Sequence, residues 1–181
     1  MVVSADAGRL GVGVLLGKTN ELGQELLDPE GLEGGNNGAG SAPGLDLLPL
    51  RTVFGGNKAL RQRSSQALWP THSDTTSAAN GIQLEGFELH RGSTSALEPC
   101  QQLCAEAELG WVKGSIAGTY LHGVFESGPW RRRWLNQLRT RKGLPLLSEQ
   151  QPHHSRQREA LLDRLADAFA QHVNLEPLLK P

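Results

Sequence analysis

Gly118-Thr119-Tyr120-Leu121-His122-Gly123-Val124-Phe125 sets a titratable imidazole between an apolar, strand-like run and a glycine that lets the chain turn. A histidine displayed where a strand ends is a common mount for general acid–base chemistry. Taken alone, such a residue is more often a structural histidine hydrogen-bonded to a neighbouring turn. The surrounding sequence therefore has to decide what His122 does.

Downstream of this stretch the pattern is helical. Pro129 suits a first helical position after Ser127, Trp130, Trp134 and Leu138 recur at spacing four, and Gly143 supplies a stop. A last helix is expected with Ser155 as its cap and Leu161, Leu165, Phe169 and Val173 as one stripe, Leu162 and Ala166 beside it. Upstream the pattern is extended. Residues 111–116 and 119–125 read as strands, as do residues 81–90, where Ile82, Leu84, Phe87 and Leu89 alternate imperfectly. Residues 45–54 read as extended, broken by Pro49, and residues 58–62 are expected to pair with them across the Gly55-Gly56-Asn57 turn. Residues 12–16 form an apolar run whose periodicity fits a strand or a buried helix. Polar loops fall near 34–44 and 64–81, the first rich in Gly and Asn, the second in Ser, Thr and Ala. Strands first and helices late, with loops between them, suit an α/β domain.

The 181 residues are enough for one domain with a real core. Acidic and basic residues nearly cancel, 19 against 18, so overall charge demands neither nucleic acid nor an anionic membrane. No apolar run approaches the length of a membrane span, and two cysteines make no disulfide framework. A reduced, cytoplasmic setting is the simplest reading.

Three separated segments carry a resemblance. They are residues 118–125, Gly86-Phe87-Glu88-Leu89-His90-Arg91-Gly92-Ser93-Thr94, and Leu22-Gly23-Gln24-Glu25-Leu26-Leu27-Asp28-Pro29-Glu30-Gly31-Leu32-Glu33-Gly34. In order and approximate spacing they resemble the glutamine amidotransferase domain of cobyric acid synthases, and residues 45–54 and 130–143 look like further segments of that family. The resemblance implies an α/β fold, the flavodoxin-like class I glutamine amidotransferase domain, incomplete at its N-terminus. It divides the chain into a divergent segment 1–21, a partial domain 22–175 and a tail 176–181.

The resemblance also implies roles. His122 is the family's general base, which would deprotonate a cysteine and then protonate departing ammonia. That cysteine belongs to a Gly-x-Cys-Gly-Gly elbow. Counted back from Leu22-Gly23 its slot is Leu16, and leucine cannot attack an amide carbon. Many class I glutaminases orient the histidine with a carboxylate two residues on. Here that residue is Val124, a departure the cobyric acid branch is understood to share, and Glu126 is the nearest acid, equally readable as a solvated turn residue. Glu88 and His90 alternate along a strand and so share a face, either lining the glutamine site or decorating a half-exposed edge. The expected small-molecule partner is glutamine. A corrinoid would be reached through the synthetase domain of such enzymes, which also uses ATP and magnesium. No cofactor or metal is expected in this chain itself. A cobyrinic acid a,c-diamide synthase relationship is the close variant, and a non-catalytic remnant or interaction domain is the rival.

Other motifs read more plainly. Gly17-Lys18-Thr19 resembles a phosphate loop, but Val12 stands where the first glycine is needed. Cys100 and Cys104 are four apart and would share a face of a helix; as zinc ligands they would need two more partners, with His90 the nearest. Arg131-Arg132-Arg133, between Trp130 and Trp134, could bind phosphates while the indoles stack on bases. The core-like period of the tryptophans favours a buried apolar side with solvated arginines, so no nucleic-acid partner is expected.

Overall fold

A computed structural model describes residues 3–6, 13–32, 40–70 and 81–173. In chain order its elements begin with β1 (Val3–Asp6), β2 (Gly13–Lys18), α1 (Thr19–Leu22), β3 (Glu25–Asp28), β4 (Gly40–Pro43) and β5 (Leu50–Val53). There follow β6 (Ala59–Gln66), β7 (Gln83–His90), β8 (Ser93–Ala96) and β9 (Gln101–Gln102). The last are β10 (Gly110–Lys113), β11 (Ile116–Thr119), β12 (Leu121–His122), α2 (Gly128–Arg141) and α3 (His154–His172).

The strands form three sheets, ordered β1-β2-β11-β10-β9, β12-β7-β6 and β4-β3-β5-β8. Parallel pairing joins β2 to β11 and β3 to β5, and the other described pairs are antiparallel. The α/β class read from the sequence holds, with mixed sheets. Parallel pairs need a crossover rather than a tight turn, and long excursions separate β2 from β11 and β3 from β5.

Two apolar clusters hold these sheets. Trp130 and Trp134 of α2 pack with Leu84, Leu103, Val112 and Leu121, so α2 is nailed to all the strands around His122. Leu22, Leu48, Leu50, Trp111 and Tyr120 make a second cluster beneath α1. Trp130 is fully enclosed, and its indole N–H donates to the Trp69 carbonyl at 2.8 Å, so the polar end of the ring is not left unpaired.

Several local expectations are corrected. Residues 45–54 and 58–62 do not form a hairpin. β5 pairs with β3 and β8, while β6 pairs along its whole length with β7. Eight register pairs with β7 outweigh what a short local turn offers. Residues 111–116 are two strands, β10 and β11, joined by a tight turn at Gly114, whose φ of 62° is the conformation such turns demand. Cys100 and Cys104 flank β9 instead of sharing a helix. Ser155 lies inside α3, whose N-cap is His153.

The last helix is present as α3, with its apolar face open. Leu161, Leu165 and Phe169 form the foreseen stripe, but each remains about half exposed, at 48, 56 and 55 %. No described residue of α3 is buried. The amphipathic pattern formed the helix without supplying a surface to cover it. α2, by contrast, begins and ends as read, with Pro129 in its first turn and Gly143 at φ 65° beyond its end. Residues 71–80, most of the first polar loop, Val12 and the tail lie outside the described residues.

Candidate functional site

β12 is two residues long and exists because β7 leaves room for it. A Cβ on Gly86 would collide with the His122 carbonyl oxygen, so a glycine there lets β12 lie against β7, with Leu121 opposite Glu88 and His122 opposite Phe87. Directly after His122 the backbone turns left-handed at Gly123, φ 86°, and enters a 3-10 turn over Val124–Glu126. The histidine is thereby presented at the end of its strand. Its ring stacks on Phe87, centroids 4.9 Å apart and planes 8° from parallel.

Two residues earlier, Tyr120 is buried beneath His90, the rings stacked at 3.9 Å. The Tyr120 hydroxyl shares a hydrogen bond with Thr94 Oγ1, which is itself 2.7 Å from Thr52 Oγ1. Burial pushes the Tyr120 phenol above its ordinary value, opposed by its threonine neighbours. β7 is the central strand of its sheet, and Glu88 lies between Leu121 of β12 and Arg61 of β6, while His90 is paired with Ala59 of β6 alone. Glu88 is 2 % exposed and accepts from His90 Nε2 at 2.7 Å, with Arg63 and Arg61 at 3.3 and 3.5 Å from its other oxygen. The Glu88 carboxylate thus stands behind His90 and fixes its ring, while Nδ1 of that ring is enclosed and unpartnered.

His122 and His90 face one cavity of about 310 Å³. Asn20 from α1, Thr119, Tyr120, Phe54, Lys58, Leu89 and Arg91 complete its lining. α1 ends at Leu22, where the first of the segments that carried the resemblance begins, and its Asn20 reaches the lining. Sequence reasoning singled out His122, Glu88 and His90 but missed Asn20, Lys58 and Arg91. The available signal was their position beside turn-forming residues: Gly56 at φ 64° two places before Lys58, and Gly92 at φ 86° directly after Arg91.

Leu16 lies inside the β2 ladder, opposite Ala117 of β11. The strand continues for two more residues and the chain turns into α1 at Thr19, so the strand-to-helix corner falls at Lys18-Thr19. Thr19 is fully buried, and its hydroxyl has no hydrogen-bond partner among the described residues. Neither cysteine lines the cavity. Burial raises the thiol of Cys104 above its ordinary value, as it does for Cys100, so both are held as neutral thiols. The tryptophans beside the arginine run are enclosed and cannot stack on bases. Arg133 makes a paired contact with Glu149 and Arg131 donates to the Phe125 carbonyl. Among the described residues no three His, Cys, Asp or Glu side chains gather as metal ligands, and no helix is long and apolar enough to cross a membrane.

Comparison with known proteins places this architecture. Residues 19–130 match the CobB/CobQ-like glutamine amidotransferase domain. Cobyric acid synthase of Synechococcus sp. (strain WH7803) is 66 % identical over 166 residues, covering 87 % of this chain and 32 % of that protein. The cobyric acid synthase of Synechococcus sp. (strain CC9311) is also 66 % identical, over 91 % of this chain and 33 % of its own length. That of Prochlorococcus marinus (strain MIT 9313) is 43 % identical over 91 % of this chain. The chain spans about a third of the length of the curated relatives it matches. With well over half of its residues inside the family pattern, the chain belongs to the CobB/CobQ-like glutamine amidotransferase domain family.

Proposed function

We propose that this chain is the glutamine-handling part of a cobyric acid synthase, with the His122 cavity as its glutamine site and His122 as the acid–base residue. The observation that carries this reading is the convergence of Asn20, His90 and His122, from three distant segments, on one small polar cavity. Its volume suits an amino acid and is far too small for a corrin ring. In the family's chemistry a cysteine thiolate attacks the side-chain amide, the histidine protonates the leaving ammonia, and water releases glutamate from the thioester. Ammonia would then serve the ATP-dependent amidation of corrin carboxylates in cobalamin biosynthesis. ATP, magnesium and the corrinoid would all be held by the synthetase part.

In this chain the acid–base half of that machinery is present and the nucleophile is not, for Leu16 occupies its slot. That one observation favours the second reading, a non-catalytic remnant or interaction domain that binds glutamine without turning it over. The test is direct. Titrating the full chain with L-glutamine should move the NMR resonances of His122 while no ammonia is released. Glutamine turnover that survives removal of both Cys100 and Cys104 would overturn the assignment of the slot. An unmoved His122 resonance would overturn the glutamine site.

A further inference from the structure

The cavity that His122 and His90 line also carries two cations. Lys58 and Arg91 both line it, and none of its described lining residues is a carboxylate. Several cations elsewhere are paired with carboxylates: Arg51 with Glu25, Lys113 with Glu98, and Arg63 with Glu88 and Glu108. Among the described residues no carboxylate pairs with Lys58 or Arg91.

The strand register makes this more pointed. β6 and β7 end their ladder with Ala59 opposite His90, so Lys58 and Arg91 each directly adjoin that last pair. Like charges set across a strand pair repel and weaken it unless something of opposite charge lies between them. The turn that carries Arg91 is fixed. A Cβ on Gly92 would strike the Val53 carbonyl oxygen, so the Arg91 turn is seated tightly against the end of β5. The two cations line one concave site together with two imidazoles.

We propose that Lys58 and Arg91 form a carboxylate-binding subsite of this cavity, which takes the α-carboxylate of a small amino-acid amide and points its amide toward His122. The assignment deepens the glutamine reading and rests on it for the identity of the ligand. The planar guanidinium of Arg91 suits both oxygens of a carboxylate at once, and the ammonium of Lys58 adds a point charge. The neutral amide tail is then left to the rest of the lining, which includes Asn20 and His122.

The test is calorimetric titration of the full chain and of Lys58→Met and Arg91→Met, with L-glutamine, with 4-aminobutanamide, which lacks the α-carboxylate, and with glutarate and inorganic phosphate. L-glutamine should bind the unaltered chain and lose about tenfold or more in affinity in each variant, as expected for removing a charge-assisted contact. 4-aminobutanamide should bind weakly and equally to all three. Arg91→Lys and Lys58→Arg, which keep the charge, should retain more affinity than the methionine variants, which separates loss of charge from loss of fold. Equal L-glutamine binding by all variants would overturn the subsite while leaving the glutamine reading intact. Glutarate binding that depends on both cations, without glutamine binding, would keep the subsite and overturn the glutamine reading. Phosphate binding in preference to either carboxylate would overturn the carboxylate assignment, and no binding of any of them would overturn both.

Discussion

Replacing Glu88 by glutamine should lower the stability of the domain by about 2 kcal/mol, and replacing it by leucine by about 3 kcal/mol or more. The carboxylate is 2 % exposed, and its Oε1 receives the His90 ring N–H at 2.7 Å. A hydrogen bond to a charged group contributes about 1.5–3 kcal/mol, and a neutral amide oxygen in its place keeps roughly half of that. Arg63 and Arg61 add less. Their contacts are 3.3 and 3.5 Å long, and the side chains are 22 and 60 % exposed, so solvent screening holds each below about 1 kcal/mol. Leucine goes further, because it leaves the ring N–H of His90 enclosed and unmatched. The assay is urea unfolding at pH 7 followed by far-UV circular dichroism, completed as a double-mutant cycle with His90→Phe, which keeps an aromatic ring against Tyr120. A coupling of about 1.5–3 kcal/mol is expected between positions 88 and 90. Effects that add within about 0.5 kcal/mol would refute the claim that Glu88 acts through His90.

Gly92→Ala should cost more than about 2 kcal/mol, because an L side chain is strained at φ 86° and its Cβ meets the Val53 carbonyl oxygen; thermal melting reads it, and an unchanged midpoint would show that the turn can relax. Leu165→Ser on α3 should change stability by no more than about 0.5 kcal/mol, since the residue is 56 % exposed; a loss of about 2 kcal/mol or more in urea unfolding would mean that the stripe is covered in solution. The raised thiol of Cys104 fixes a sign with pH: its contribution is fully present below about pH 9, the ordinary value, and declines as pH rises from there toward the raised value in the folded chain. Cys104→Ala should flatten that alkaline decline, and a decline of equal steepness would assign it to other groups.

How much of this was legible in the sequence differs from element to element. α2 was readable in full, because Trp130 and Trp134 at helical spacing, Pro129 and Gly143 all point the same way and the core agrees with them. The α3 pattern was equally clear in the sequence, yet its burial was not, because periodicity shows which face is apolar and says nothing about what covers it. The β5–β6 hairpin was misread for the opposite reason. A Gly-Gly-Asn turn is a local signal, whereas the pairing of β6 with β7 spans residues far apart and is decided by the whole ladder. His122, Glu88 and His90 stood out because their residue types carry chemistry. Lys58 and Arg91 did not, since a lone lysine and a lone arginine are ordinary surface residues until the fold sets both on one cavity.

The same contrast explains how His122 is oriented without the carboxylate that many class I glutaminases place two residues later. Val124 is 5 % exposed and packed in the cluster that contains Trp130 and Trp134, so an acid at that position would bury a charge among tryptophans. Glu126 offers no substitute at the ring, for its carboxylate is 3.2 Å from His154 Nδ1, at the start of α3. What holds the imidazole is Phe87, opposite it in the β7–β12 pair and stacked on it within 8° of parallel. A stacked ring fixes the plane of the imidazole without selecting a tautomer, whereas a carboxylate fixes both. The buried carboxylate nearby, Glu88, is bonded to His90 instead. Of the two histidines on this cavity, one therefore has an aromatic partner and the other a carboxylate partner.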